Sequence, residues 1–194
     1  MSKIVIALGI VLVALLAVAV SASPVPQQAG TPLKDVGDLL VGRWTGEGIY
    51  AADYPGIGKK GEKFTSTITC RWVAGQAAIQ CEGVENKTTW TTFYWYDALS
   101  KQVKYVDANS GGNYADGTMT KQGAKLVWAS AGSFADGRRV EYKGETTFQE
   151  NGNTRIEAGA FILNGLAERI SGHIQARREI ARIRGISVAV EPFP

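Results

Sequence analysis

From Gly42 to residue 179, apolar and polar side chains alternate along the chain with a period of two residues. Such alternation of apolar and polar side chains is typical of a β-strand that buries one face. Similar runs recur along the chain, separated by short turns that contain glycine, asparagine or aspartate. The sequence therefore predicts an all-β fold of about ten antiparallel strands. In one run, Phe64, Ile68, Cys70 and Trp72 share a face, and Thr65, Thr67, Thr69 and Arg71 share the other.

A short helix is predicted in front of these strands. Thr31 suits the N-cap, Pro32 the first helical position and Gly42 the end of the helix. The strands that follow, with almost no further helix, indicate a sandwich or a closed barrel. Because closure removes the exposed edges of a meander of hairpins, we predict an up-and-down barrel over residues 31–179. The apolar face of the helix consists of Leu33, Val36 and Leu40.

Residues 1–22 predict a secretory signal peptide. Lys3 precedes an apolar run from Ile4 to Val20, and small residues lead to Ala22, after which we expect cleavage. The alternative is an uncleaved membrane anchor, because the run just reaches the length that spans a bilayer. Cleavage would leave an exported protein, periplasmic or secreted, without membrane contact.

Two further segments lie outside the predicted barrel. Residues 23–30 are rich in proline and glutamine and predict a flexible linker. Residues 180–194 predict a C-terminal tail, which could be an additional strand, an amphipathic helix or a basic interaction segment. The length that remains between them suits one domain.

The charge of the mature chain argues against nucleic acid as a partner. The formal net charge is +3, and removal of residues 1–22 takes away one lysine, which leaves 20 basic and 18 acidic residues, or +2. Basic and acidic residues are interspersed, without the one-sided basic surface that binds phosphates. We therefore expect a small-molecule partner, and the sequence leaves the oligomeric state open.

Cys70 and Cys81 are the two cysteines of the chain. The segment between them predicts a hairpin that turns at Gly75 and Gln76, which places the cysteines directly opposite each other. Directly opposed residues of antiparallel strands are within disulfide range, and an exported chain meets oxidising conditions. We predict a cross-strand disulfide; two reduced, buried thiols are the alternative.

Aromatic residues are concentrated in the predicted strand from Trp90 to Tyr96. Alternation places Phe93 and Trp95 on the opposite face from the other aromatic residues of this strand. Inward-facing rings either fill the core or form the wall of a small-ligand cavity, and both interpretations stay open. For the second, the candidate ligand-binding residues are Phe64, Ile68, Trp72, Trp90, Tyr94 and Tyr105.

The segment from Leu39 to Gly48, LLVGRWTGEG, resembles the start of calycin-type barrels, where a short helix leads into a Gly-x-Trp on the first strand. The resemblance is closest to a bacterial lipocalin-like barrel family of unknown function, which also has a Tyr-Asp at the end of a middle strand. It implies that the tryptophan, here Trp44, closes the barrel floor under an arginine from the last strand. Alternation makes Arg178 the candidate for that arginine, as a structural and not a catalytic pair with Trp44.

The chain more distantly resembles nitrobindin-type heme barrels, which follow the Gly-x-Trp-x-Gly-Glu-Gly segment with a Tyr-Pro, here Tyr54 and Pro55. This resemblance implies heme ligation by a histidine of the C-terminal strand, where His173 lies. Alternation places His173 on the polar face, so its imidazole points to solvent unless the strand has a bulge. We expect no cofactor and no metal site; heme at His173 is the alternative.

These patterns lead to one functional prediction with alternatives. The leading prediction is an exported, lipocalin-like barrel that binds a small apolar or amphipathic molecule, with no catalytic residue assigned. One alternative is an enzyme that uses interior carboxylates and tyrosines, for which Glu47, Glu82 and Asp107 could converge across the barrel. The others are a heme-binding barrel and a packed barrel whose outer face binds another protein.

Overall fold

The computed structural model describes residues 32–50, 53–163, 166–169, 171–178, 182–183 and 186–187, with side chains up to residue 162 except that of Phe161. The predicted signal peptide and linker lie outside these residues. The described residues contain one α-helix, α1 (Pro32–Leu40), and thirteen strands. The strands are β1 (Gly42–Tyr50), β2 (Lys63–Val73), β3 (Ala78–Glu85), β4 (Thr88–Asp97), β5 (Gln102–Asn109), β6 (Tyr114–Gln122), β7 (Lys125–Ser133), β8 (Arg139–Gln149), β9 (Thr154–Leu163), β10 (Leu166–Arg169), β11 (Ser171–Arg178), β12 (Arg182–Ile183) and β13 (Ile186–Ser187).

Eleven of these strands form one curled antiparallel sheet. Strands β1 to β8 pair in sequence order, β8 pairs with β9, and β9 pairs with both β10 and β11. Because β11 also pairs with β1, the sheet closes on itself. The predicted all-β, barrel-like fold with a short N-terminal helix is confirmed. In the C-terminal tail, β12 and β13 pair with each other in a separate two-stranded sheet, and the rest of the tail lies outside the described residues.

The hairpin of β2 and β3 has the predicted register. Cys70 pairs with Cys81, and Trp72 pairs with Ile79. The Cα atoms of the two cysteines are 4.0 Å apart and their sulfur atoms are bonded, so the predicted cross-strand disulfide is confirmed. The turn residue Gly75 has a φ of 63°, a left-handed conformation that glycine adopts without steric cost.

Helix α1 closes one end of the barrel. Its predicted apolar face is buried, and the described residue Gly37 beside that face contacts Trp72 so closely that an added Cβ would lie 2.2 Å from the indole. The indole nitrogen of Trp44, at the start of β1, donates a 2.9 Å hydrogen bond to the carbonyl oxygen of Leu40, the last helical residue. Helix, first strand and second strand are therefore packed as one unit at this end.

The loop between β1 and β2 lies across the other end. Tyr54 contacts the rings of Phe134 and Tyr142, on the far side of the barrel, with ring centroids 5.7 and 6.3 Å apart. The side-chain nitrogen of Asn113 donates a 3.0 Å hydrogen bond to the carbonyl oxygen of Pro55 in this loop. Since β1 runs from the helix to this loop, the two features cover opposite ends of the barrel.

Side-chain burial follows the predicted alternation. Along β2 the buried positions are every second residue from Phe64 to Cys70, and β8 alternates in the same way from Val140 to Tyr142. In β4, Tyr94 is buried, whereas Phe93 and Trp95 point outward and are 40 % and 38 % exposed. The inward faces of the strands therefore supply the walls of the barrel interior.

Candidate ligand-binding cavity

A cavity of about 300 Å³ lies inside the barrel, between helix α1 and the loop after β1. This volume is at the lower end of the range for small-molecule sites, which are lined mainly by apolar and aromatic side chains and a few polar groups. Leu40 of the helix and Tyr54 and Ile57 of the loop are among the residues that line it. Each of the strands β1 to β9 contributes at least one inward-facing side chain to the wall.

Five of the six predicted ligand-binding residues line this cavity. They are Phe64, Ile68, Trp90, Tyr94 and Tyr105. The sixth, Trp72, is not among the lining residues, because it lies near the end of β2 and packs under helix α1 at Gly37. The inward placement of the rings follows from the strand period; their contact with a ligand stays a prediction.

Tyr94 and Tyr105 are directly paired across β4 and β5 and form an aromatic wall. Their ring centroids are 5.7 Å apart and both side chains are buried. Burial raises the pKa of both hydroxyls, that of Tyr105 to about 12, so both are neutral at physiological pH. A hydrogen bond with Ser130 on β7 partly opposes this shift at Tyr105. These hydroxyls can therefore take part in hydrogen bonds with a ligand without carrying charge.

Asp107 lies on the cavity wall beside these tyrosines. The Thr92 hydroxyl, on the neighbouring strand, donates a 2.7 Å hydrogen bond to Oδ2 of Asp107. Burial raises the pKa of the Asp107 carboxyl, and the Thr92 hydrogen bond opposes this shift only in part. Four tyrosines line the same cavity as Asp107, and its negative charge adds to the effect of burial in raising the pKa of each of them. These are Tyr54, Tyr94, Tyr105 and Tyr142.

Glu85 is a second carboxyl on the wall, at the end of β3. The Tyr50 hydroxyl donates a hydrogen bond to its Oε1. Burial raises the pKa of Glu85, against the effect of that hydrogen bond. Ser66, its cross-strand neighbour on β2, is only 5 % exposed, and among the described residues its hydroxyl has no hydrogen-bond partner.

Arg155, on β9, is the one cation among the described lining residues. It is 4 % exposed, and its guanidinium lies 5.2 Å from the centre of the Trp44 ring and 3.2 Å from a carboxylate oxygen of Glu157. Its Nε has no hydrogen-bond partner among the described residues. The arginine predicted over Trp44 was Arg178, whose backbone is the register partner of Trp44 on β11. The side chain of Arg178 lies outside the described residues, so its role stays a prediction.

The interior carboxylates differ from those that the sequence suggested. Asp107 lines the cavity, whereas Glu47 and Glu82 are exposed, so the convergence of the three that the enzyme alternative allowed does not occur. Glu82 lies on the outer face with Arg71, its salt-bridge partner at 3.2 Å. The interior acids that sequence reasoning missed are Glu85 and Glu157. The strand period could have identified Glu85 as inward-facing, because it lies an even number of residues from the inward-facing Cys81.

His173 lies on β11 next to an irregularity in the sheet. Glu47 pairs with Gln175 and Ile49 with Gly172, so β11 has one more residue than β1 between these two pairs. Such a bulge re-aims side chains, which removes the basis for assigning the His173 imidazole to the outer face. Its side chain lies outside the described residues, and the heme alternative stays a prediction.

The described residues contain no metal-binding cluster and no membrane-spanning helix. No group of three or more histidine, cysteine, aspartate or glutamate side chains among them is arranged to hold a metal ion. Within the same part of the chain, no helix is long and apolar enough to cross a membrane.

Together these features define an antiparallel β-barrel with one short helix at its base and a partly polar internal cavity. The fold is similar to the one described as the crystal structure of Rv2717c from M. tuberculosis, with a TM-score of 0.52 and 15 % sequence identity over 77 % of this chain and 98 % of that one. At this identity the likeness concerns the fold alone. The chain matches no protein-family model and no curated protein sequence.

Proposed function

We propose that this protein is an exported, lipocalin-like barrel that binds a small apolar or amphipathic molecule in its interior. The observation that carries the proposal is the cavity of about 300 Å³ inside the barrel, walled by aromatic rings. A space of this size among large side chains is costly to keep empty, because its walls lose the dispersion contacts of a filled core. A ligand that fills the space restores those contacts.

An amphipathic ligand suits the uneven distribution of polar groups. Ile68, Met119 and the Cys70–Cys81 disulfide form an apolar wall towards the helix. Asp107 and Glu85 lie closer to the loop end of the barrel, since each is near the end of its strand that points away from the helix. A molecule with one apolar and one polar end would match both parts of the cavity.

Export is supported by the disulfide and by the N-terminal segment. Disulfides form and persist in oxidising compartments, and Cys70 and Cys81 are bonded. The apolar run from Ile4 to Val20 is the segment that would direct the chain there. Protein expressed from the full sequence and recovered outside the cytoplasm should begin at Ser23; recovery of the uncleaved chain in the membrane fraction would contradict this part of the proposal.

Ligand binding is tested by mass spectrometry of the natively folded protein, with a cavity-filling variant as comparison. We expect a co-purified small molecule in the wild type and its loss in Ser66→Leu, because leucine fills cavity space beside Ser66 and removes a buried hydroxyl that has no described partner. Thr67→Leu, on the exposed face of the same strand, is the matched control and should keep the ligand. Absence of any bound molecule in the wild type, together with a failure of added apolar probes to bind, would refute the proposal.

Acid–base catalysis inside the cavity is the second candidate function. Buried carboxyls with a raised pKa, here Glu85 and Asp107, are the groups that general acids require. A co-purified molecule that is recovered chemically changed after incubation with wild-type protein, and unchanged with Glu85→Gln, would favour this candidate. The heme alternative is tested separately, by an absorbance scan of the Soret region after heme addition to wild type and His173→Ala.

A further inference from the structure

The described side chains of the cavity wall have an excess of acidic groups. Its charged side chains are Glu85, Asp107, Glu157 and Arg155, and the described residues that line it include no lysine and no second arginine. Arg155 is already paired with Glu157 at 3.2 Å. Glu85 and Asp107 are therefore left without a cationic partner in the part of the wall that the structure describes.

Asp107 is in the better position to receive a charged ligand group. Among the described residues, Asp107 accepts a hydrogen bond from the Thr92 hydroxyl at its Oδ2 atom. Glu85 already accepts a hydrogen bond from the Tyr50 hydroxyl and lies at the end of its strand. Tyr105 lies two residues from Asp107 on the same inward face, and Tyr54 is held above the barrel by a 3.2 Å hydrogen bond from its hydroxyl to that of Tyr142. A cavity that combines a carboxylate with aromatic rings suits an organic cation, because the carboxylate and the ring faces both attract positive charge.

A second, independent observation concerns hydrogen bonding in the same wall. The Ser66 hydroxyl is buried, lines the cavity and has no partner among the described residues. A buried polar group without a partner is unfavourable, so such groups in a cavity indicate where a ligand or a water molecule completes the site. Ser66 is next to Glu85 across β2 and β3, so the unsatisfied hydroxyl and an uncompensated carboxyl occupy one part of the wall.

We propose that the ligand is an organic cation, an amphipathic amine or quaternary ammonium compound, whose charged end lies against Asp107 and whose apolar part lies along Ile68 and Tyr94. This inference rests on the proposed binding function. The negative charge of the described carboxyls on the wall favours a cationic ligand over a neutral or an anionic one. A neutral ligand leaves the carboxyls uncompensated, and an anion would have to displace Glu157 from Arg155 in an interior that already has an acidic excess.

Three probes of one shape and different charge test this inference. Benzyltrimethylammonium, neopentylbenzene and benzylsulfonate share a benzyl group and a tetrahedral head group. Their head groups differ in charge, which is about +1, 0 and −1 respectively at neutral pH. Binding is followed by the fluorescence of Trp90 and Trp128, which line the cavity. We expect the cation to bind about tenfold more tightly than the neutral probe, and the sulfonate most weakly.

Two aspartate variants test whether the preference for the cationic probe is due to Asp107. Asp107→Asn retains the shape and an acceptor for Thr92, and should remove the preference for the cation while the affinity for neopentylbenzene changes by less than about twofold. Asp116→Asn makes the same charge change on the exposed face of β6 and should leave all three affinities unchanged. The wild-type series decides the ligand class even if Asp107→Asn does not fold.

The outcomes separate this inference from the proposed function. Equal affinities for all three probes would leave the binding cavity intact and overturn the inference. Tightest binding of the sulfonate would also overturn it and would point to Arg155. A cation preference that persists in Asp107→Asn would refute the assignment to Asp107. If none of the probes binds, the inference fails, and the proposed function fails with it only if the wild type also contains no co-purified molecule.

Discussion

The guanidinium of Arg155 lies 5.2 Å from the centre of the Trp44 ring, at the end of the barrel that helix α1 closes. The same indole donates its N–H to the Leu40 carbonyl and meets the ring of Phe148 edge-on, with ring centroids 6.0 Å apart. Trp44 thereby connects β1, β8, β9 and the helix. Because a buried guanidinium keeps its charge, Glu157 on the same strand is required to compensate it.

The first prediction concerns this buried ion pair. Arg155→Met should lower the free energy of unfolding by about 2–4 kcal/mol, because it removes the cation that compensates the Glu157 carboxylate and lies over the Trp44 ring. Chemical denaturation followed by tryptophan fluorescence measures the change. Arg138→Met is the matched control: Arg138 also has an ion pair, with Asp136, and an aromatic ring, that of Phe134, but it is exposed, so we expect a much smaller loss than for Arg155→Met.

A double variant shows which part of that loss is electrostatic. Arg155→Met combined with Glu157→Leu should recover a large part of the stability, because the buried negative charge that Arg155 compensates is then also absent. If the double variant is as unstable as the sum of the two single variants, the ion pair is not what stabilises this end of the barrel.

The second prediction concerns the disulfide. The double variant Cys70→Ala, Cys81→Ala should lose about 2–3 kcal/mol of unfolding free energy, since the bond closes a short loop of the unfolded chain. Equilibrium unfolding with and without a reducing agent measures this. The reductant should destabilise the wild type by a similar amount and leave the variant unchanged; equal stability of the two proteins without reductant would contradict the prediction.

The third prediction concerns the contact between helix α1 and β2. Gly37→Ala should destabilise the protein by about 1–3 kcal/mol although alanine is the better helix former, because the new Cβ would lie 2.2 Å from the Trp72 indole. Thermal unfolding measures the change. Combination with Trp72→Phe, which has a smaller ring, should restore part of the loss. A stabilising effect of Gly37→Ala would mean that the helix is not held against Trp72.

The fourth prediction concerns the pH dependence of the stability of the ligand-free protein. Burial raises the pKa of Asp107 in the folded protein above its value in the unfolded chain. Between these two values the folded state binds more protons, so the contribution of Asp107 to stability falls as the pH rises through this window. Above it, the ionised carboxyl weakens the folded state by a constant amount.

Asp107→Asn should therefore be more stable than the wild type at neutral pH, and this gain should vanish below the ordinary carboxyl pKa of 3.8. Melting temperatures of both proteins across this pH range measure the gain. Asp116→Asn, on the exposed face of β6, should change the stability by less than about 0.5 kcal/mol at any of these pH values. A loss of stability in Asp107→Asn at neutral pH would show that the carboxylate is compensated inside the barrel.

Several features of the site were predictable because they depend on local order. The hairpin register that pairs Cys70 with Cys81 follows from counting outward from one turn, and it is confirmed. The inward position of Tyr94 and the outward position of Trp95 follow from the strand period. The inward position of Glu85 could have been predicted in the same way, because it lies an even number of residues from Cys81 on the same strand.

The pairing of distant side chains was not predictable in this way. Arg155 lies over Trp44, 111 positions apart in sequence by subtraction, because β9 meets β1 only through the closure by β11. Strand stagger decides which inward side chains of non-neighbouring strands share a level, and no local pattern encodes it. The outward position of Glu47 and Glu82, by contrast, follows from the strand period, because each lies an odd number of residues from a buried side chain of its own strand, Trp44 or Cys81.

The sequence by itself determined the strand period, the helix in front of the strands and the disulfide, since each depends on residues close together in the chain. The cavity of about 300 Å³, and the meeting of Asp107 with tyrosines from several elements on its wall, depend on how the whole barrel closes. The physical reason is that side-chain volumes fill or leave space only when all strands are placed around one axis. The charge balance of that space likewise depends on which side chains closure brings together.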